Sequence, residues 1–107
     1  MDLSSEELLV QVATGDKRAF GELYDRLAAR VMGICMQVLR NRAIAEEITQ
    51  EVFVEIWRTA PIFSPERGSA QGWVLRLARS RAIVEQARTV RDWTMTLAAD
   101  TRSAPSR

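Results

Sequence analysis

Histidine is missing from the 107 residues, and cysteine occurs once, as Cys35. Without histidine the usual zinc-ligand sets and histidine-dependent catalytic triads are excluded, and a single cysteine cannot close a disulfide within the chain. We therefore expect no metal site, no cofactor and no histidine-dependent catalysis. The near absence of cysteine also suits a reducing cytoplasm.

Long hydrophobic runs are missing too, since no apolar stretch approaches the roughly 20 residues that a membrane span needs. The first residues, Met1 to Glu7, are acidic, whereas a signal peptide begins with a basic segment and continues with an apolar one. We expect neither export nor membrane insertion, and hence a cytoplasmic protein. The net charge of +1 excludes coating of nucleic acid by bulk electrostatics, so any binding face must come from local segregation of charge.

Apolar residues recur at three- and four-residue steps over the first 59 positions, which predicts helices. Ser4 with Glu7 has the pattern of a capping box for a short first helix, and Asp16 can cap a second helix that runs to Leu39. Asn41 breaks the pattern before a third helix at about residues 43–59. Strand signals are absent, because no long stretch alternates apolar and polar residues.

Residues 61–68 contain two prolines and a glycine, which is the composition of a structured loop. Ser69 can then cap a fourth helix from Ala70 to about Arg88. Its apolar stripe is Trp73, Leu77 and Val84, and further apolar residues around the helix predict packing on more than one face. We predict an all-α fold, a compact bundle of about four helices over residues 1–90, followed by a linker or flexible tail at residues 91–107.

A row of acidic residues lies opposite the apolar stripe of the third helix, where Glu47, Glu51 and Glu55 follow each other at four-residue spacing with Glu46 and Gln50 beside them. Like charges at this spacing cost roughly 0.2 to 0.5 kcal/mol per pair. One interpretation is a solvated helix face, and the other is a docking surface for a basic partner. The spacing alone leaves both open.

Arginines concentrate around the fourth helix, and the aromatic residues Phe63 and Trp73 lie on either side of its start. Arginine contacts phosphate and stacks on exposed bases, so this region is a candidate for binding single-stranded nucleic acid. The alternative is that Trp73, on one stripe with Leu77, and Phe63 simply pack into the core.

Three stretches in this order resemble region 2 of the sigma-70 family. They are residues 19–25 (Ala-Phe-Gly-Glu-Leu-Tyr-Asp), residues 45–53 (Ala-Glu-Glu-Ile-Thr-Gln-Glu-Val-Phe) with Trp57, and residues 63–83 with Phe63, Gly68, Trp73 and Ala78-Arg79-Ser80-Arg81-Ala82-Ile83. Their order and spacing are similar to the extracytoplasmic-function group, and residues 61–68 resemble its SigK-type branch.

The resemblance implies a transcription initiation domain with two binding surfaces and no enzymatic activity. The third helix would dock on the clamp helices of the RNA polymerase β′ subunit through Glu46, Glu47, Gln50 and Glu51. The loop and the fourth helix would recognise and melt the promoter minus-ten element and capture its non-template strand. The DNA-binding residues would be Phe63, Ser64, Arg67, Gly68, Arg76, Arg79, Ser80 and Arg81. An anti-sigma factor is a further expected partner.

Two departures from the family pattern bear on this expectation. Family members commonly have Asn or Arg at the position of Ser80, and an Asp followed by basic residues where this chain has Val84-Glu85-Gln86-Ala87, so we expect weaker DNA affinity at this end. A full family member also continues into a second helical domain, region 4, which we expect to be absent from these 107 residues.

Two alternatives remain at this point. The first is a shortened sigma-like interaction module that binds polymerase or an anti-sigma factor without productive DNA recognition. The second is a small hydrolase or ligand-binding bundle using paired carboxylates, which the outward position of Glu47 and Glu51 and the absence of histidine disfavour.

Overall fold

Four helices make up the computed structural model, which describes the backbone of residues 2–103 and the side chains of residues 2–99. The helices are α1 (Ser5–Ala13), α2 (Lys17–Leu39), α3 (Arg42–Thr59) and α4 (Ala70–Ser103), and two 3₁₀ turns at Ala60–Ile62 and Pro65–Arg67 connect α3 to α4. The described residues contain no strand. The predicted all-α, four-helix fold is confirmed.

The predicted helix starts are confirmed by their caps. Ser4 and Glu7 form the reciprocal capping box of α1, with distances of 2.8 and 3.1 Å. The backbone N–H of Ala19 donates to Asp16 at 3.0 Å, and the N–H of Gly72 donates to the Ser69 hydroxyl at 3.0 Å. Each side chain satisfies a backbone donor that the first turn of a helix leaves unpaired.

A single apolar core joins all four helices. On α4 the buried stripe consists of small residues at four-residue spacing, Ala70, Val74, Ala78 and Ala82. Small side chains let α4 lie close against α2 and α3, so the larger Trp73 and Leu77 stand at the edge of the core and are only half-buried. This differs from the expected stripe of Trp73, Leu77 and Val84, and Val84 is in fact 63% exposed.

The fourth helix continues past its predicted end near Arg88 and reaches Ser103. No glycine or proline occurs between Gly72 and Ser103, so nothing in the chain breaks the helix. Gln86 still bonds to the carbonyl of Val38 in α2, and residues 87–99 beyond it are exposed. Residues 104–107 of the predicted tail lie outside the described residues, and the division between a domain and a linker at residue 90 stays a prediction.

Glu6 of α1 caps the start of α4, although 64 positions separate the two bonded residues. The backbone N–H of Ala70 donates to Glu6 Oε2 at 2.7 Å, and this hydrogen bond is the main cause that lowers the pKa of Glu6 below its ordinary value of 4.5. The carboxylate therefore satisfies an unpaired donor at the positive end of the α4 dipole.

We expect Glu6→Ala to lower the free energy of unfolding by about 1 kcal/mol at neutral pH, the usual loss when a helix cap is removed. Because the pKa of Glu6 is lower in the folded state, its contribution is present above the unfolded value and is lost as the pH falls through the folded value. Urea denaturation at neutral and at acidic pH measures this. Asp25→Ala, which removes an exposed carboxylate from α2, is the control. If Glu6→Ala lowers the free energy of unfolding equally at both pH values, the contribution of Glu6 does not depend on its charge.

Candidate functional site

The acidic face of α3 points into solvent. Its predicted members Glu46, Glu47, Gln50 and Glu51 are all exposed, while the opposite side of the helix is buried in the core through Ala45, Ile48, Thr49, Val52, Phe53 and Ile56. Substitutions on the exposed side therefore need not disturb the core. The structure brings these four predicted residues together on one surface, which we call the acidic face.

The carboxylates of the acidic face differ in their partners. Glu46 pairs with Arg42 in the preceding turn at 3.1 Å, and Glu51 pairs with Arg81 of α4 at 2.5 Å. Within the described part of the chain Glu47 has neither an ion pair nor a side-chain hydrogen bond. Glu47 is therefore the carboxylate most available to a cationic partner.

Sequence reasoning missed Val54, which lies on the acidic face one turn after Gln50 and is 57% exposed. The spacing of Val54 could have identified it. Position 54 follows positions 47, 50 and 51 at helical steps, which places Val54 on their side of α3 and not on the buried stripe. The centres of protein interfaces are more apolar than their rims, so Val54 adds a contact of the kind that a partner can bury. The acidic face thus combines charge with a small apolar contact.

The loop between α3 and α4 forms a cavity of about 200 Å³, which the sequence alone could not give. Its walls are Ile62, Phe63, Ser64, Arg67, Gly68, Trp73 and Arg76. The ring centroids of Phe63 and Trp73 lie 5.5 Å apart with the planes tilted by 50°. Both rings also pack against the core, so the core and stacking interpretations of these residues are compatible.

Backbone geometry holds the loop in shape. The N–H of Phe63 donates to the carbonyl of Ala60, and the N–H of Arg67 donates to the carbonyl of Ser64, each at 3.0 Å. Gly68 has φ 146° and ψ −173°, a conformation essentially restricted to glycine, although a Cβ there would meet no neighbouring atom. Glycine is therefore needed at position 68 for its backbone conformation, because the site has room for a Cβ.

The predicted DNA-binding residues fall into two groups. Phe63, Ser64, Arg67, Gly68 and Arg76 line the loop cavity, and Arg79 and Ser80 continue from Arg76 along one exposed face of α4. Arg67, Arg76 and Arg79 make no ion pair with any described residue, so this surface carries cations that are free to meet an anion. Arg81 does not join them and bonds to Glu51 of α3 instead.

Cys35 is fully buried in α2, and burial raises the pKa of its thiol. A thiol that resists ionisation is a poor nucleophile and a poor metal ligand, so Cys35 acts in packing, as expected. In the described part of the chain no cluster of three or more acidic, cysteine or histidine residues is placed to hold a metal ion. None of the described helices combines the length and apolar content needed to cross a membrane.

Comparison with known proteins gives a consistent result. Residues 23–93 match the family model described as Sigma-70 region 2. The chain is similar to proteins named ECF RNA polymerase sigma factor SigK from Mycobacterium tuberculosis (strain ATCC 25618 / H37Rv) and Mycobacterium bovis (strain BCG / Pasteur 1173P2), with 45% identity over 78 residues, 73% of this chain and 42% of each relative. The protein of that name from Mycobacterium sp. (strain KMS) is 45% identical over 76 residues, 71% of this chain and 39% of the relative. The chain spans less than half the length of these relatives.

Proposed function

The chain belongs to the sigma-70 region 2 family, and on that premise we propose that it binds the β′ clamp helices of RNA polymerase through the acidic face and captures promoter minus-ten DNA in the loop cavity. The family consists of transcription initiation factors and not of enzymes, so we assign no catalytic residue. The observation that carries the proposal is the cavity itself, where two aromatic rings and two arginines meet.

Capture of a base in this cavity is physically reasonable. Unstacking a base costs a few kcal/mol, and stacking on an aromatic ring contributes about 1–3 kcal/mol per base, so the two are of comparable size. A volume near 200 Å³ is below the range of drug-sized pockets and suits one base in place of a larger ligand. Arg67 and Arg76 at its rim can contact the adjoining phosphates.

Polymerase binding rests on charge and exposure. Glu47 offers a carboxylate that no described residue pairs, Gln50 offers both a donor and an acceptor, and Val54 offers apolar contact on the same surface. A basic helix is the complementary partner for this set. Control by an anti-sigma factor and a cytoplasmic location belong to the same proposal.

The test is a titration of the purified chain against a β′ clamp-helix fragment, followed by a titration of the complex against single-stranded minus-ten DNA at several salt concentrations. We expect both to bind, with the DNA affinity falling as salt rises because phosphate contacts release counterions. Binding to neither would contradict the proposal. A duplex of scrambled sequence serves as the control for non-specific attraction.

A second candidate function is a module that binds polymerase or an anti-sigma factor without productive DNA recognition. The segment of α4 after Ile83 favours it, because Glu85 turns towards α3 and the Gln86 side chain donates to the carbonyl of Val38 at 3.1 Å. Glu85 and Gln86 make contacts within the domain and add no positive charge to the surface that is proposed to bind DNA. Clamp binding without any minus-ten DNA binding would support this candidate over the first.

A further inference from the structure

Arg81 and Glu51 form the only ion pair that joins two different helices among the described side chains, residues 2–99. Arg81 Nη2 lies 2.5 Å from Glu51 Oε1, whereas the other three ion pairs lie within single helices at three- or four-residue spacing. The contact ties α4 to the acidic face of α3. It thus links a residue expected to bind DNA with one expected to bind polymerase.

Arg81 is turned away from the residues that surround the loop cavity. Two positions along a helix correspond to a rotation of about 200°, so Arg81 points to the opposite side of α4 from Arg79. Arg79 is exposed, while Arg81 is half-buried against α3. The position of Arg81 therefore belongs to the acidic face and not to the DNA side.

We infer that Arg81 competes internally for the carboxylate that Glu51 offers to a basic partner, and so limits the affinity of the acidic face. This inference rests on the proposed clamp contact. A guanidinium and a carboxylate form a strong, directional pair, and Arg81 occupies in the free chain the place that an arginine of the partner takes in the complex. Glu47, one turn earlier, forms no ion pair with any side chain of residues 2–99, so a partner can bind it without displacing one of these.

The exposure of the Arg81–Glu51 pair sets how much its removal can change partner affinity. The side chains of Arg81 and Glu51 are 40% and 47% exposed, so their attraction is screened by water and by salt. Because exposed ion pairs of this kind are weak, removing Arg81 can raise partner affinity by at most about five-fold. The gain shrinks as the ionic strength rises.

The experiment is a double-mutant cycle on the full 107-residue chain, titrated against the β′ clamp-helix fragment at low ionic strength. We expect Arg81→Gln to tighten binding by about two- to five-fold. Arg81→Gln should not change clamp affinity in a Glu51→Gln background, because Arg81 can compete only where the Glu51 carboxylate is present. Arg91→Gln removes the same charge from an exposed position further along α4 and is the control for net charge.

A second arm measures single-stranded minus-ten DNA, for which we expect Arg81→Gln to bind like the unmodified chain and Arg79→Gln to bind more weakly. The inference is overturned if Arg81→Gln weakens clamp binding, if Arg91→Gln tightens it equally, or if Arg81→Gln loses as much DNA affinity as Arg79→Gln. A different result, in which neither Glu47→Gln nor Glu51→Gln changes clamp binding, would overturn the proposed clamp contact itself and the inference with it.

Discussion

Glu47→Lys is expected to reduce affinity for the β′ clamp-helix fragment by about a hundredfold, because placing like charges together across an interface costs several kcal/mol. Glu47 is exposed and has no partner among the described residues, so the substitution removes an attraction and adds a repulsion without breaking a contact inside the domain. Fluorescence anisotropy with a labelled clamp fragment measures the change.

Two controls test whether Glu47→Lys acts through unfolding or through net charge and not through the contact itself. The free energy of unfolding should change by no more than about 0.5 kcal/mol, as is usual for a surface position, and circular dichroism with urea titration checks this. Asp92→Lys makes the same charge change on the exposed distal part of α4 and should retain clamp affinity. Equal losses for Glu47→Lys and Asp92→Lys would mean that the acidic face is not the contact.

Phe63→Leu is expected to weaken binding of single-stranded minus-ten DNA by about tenfold, since stacking of a base on an aromatic ring contributes about 1–3 kcal/mol. Leucine keeps apolar volume against Trp73 and the core but has no flat ring, so the domain stays folded. Competition between minus-ten and scrambled oligonucleotides measures the loss, which should be confined to the minus-ten sequence.

Trp93→Leu is the matched control, because Trp93 is an exposed aromatic residue on the distal part of α4, away from the loop. Removal of its ring should leave DNA affinity unchanged. If both leucine variants lose affinity for every sequence alike, the contact is general attraction and not capture of a base in the cavity. Clamp binding by Phe63→Leu should be unaffected.

Local signals made most of the fold predictable from the sequence. Ser4, Asp16 and Ser69 each cap a helix through a backbone donor within three residues, so the helix starts depend on neighbours in the chain. The acidic face was predictable for the same reason, since the positions of exposed and buried residues on α3 follow from helical periodicity. Family resemblance supplied the roles of these residues, which spacing alone left open.

Contacts between distant residues were not predictable. The bond from Ala70 to Glu6 joins residues 64 positions apart, and the pair of Arg81 with Glu51 joins residues 30 positions apart. Both depend on how α4 packs, and α4 is the helix whose buried stripe the sequence indicated least well. Three of its four buried stripe residues are alanines, which carry little hydrophobic signal, so Trp73 and Val84 dominated the expected pattern although neither lies in the core.

The uninterrupted course of α4 has a geometric consequence. Ala70, next to the cavity, and Ala82, next to the pair with Glu51, lie about 18 Å apart on one stiff helix. Its buried stripe of Ala70, Val74, Ala78 and Ala82 packs this stiff helix against the core of the bundle. The cavity wall and the partner of Glu51 are therefore parts of one continuous helix, and the helical rise sets the distance between the two surfaces.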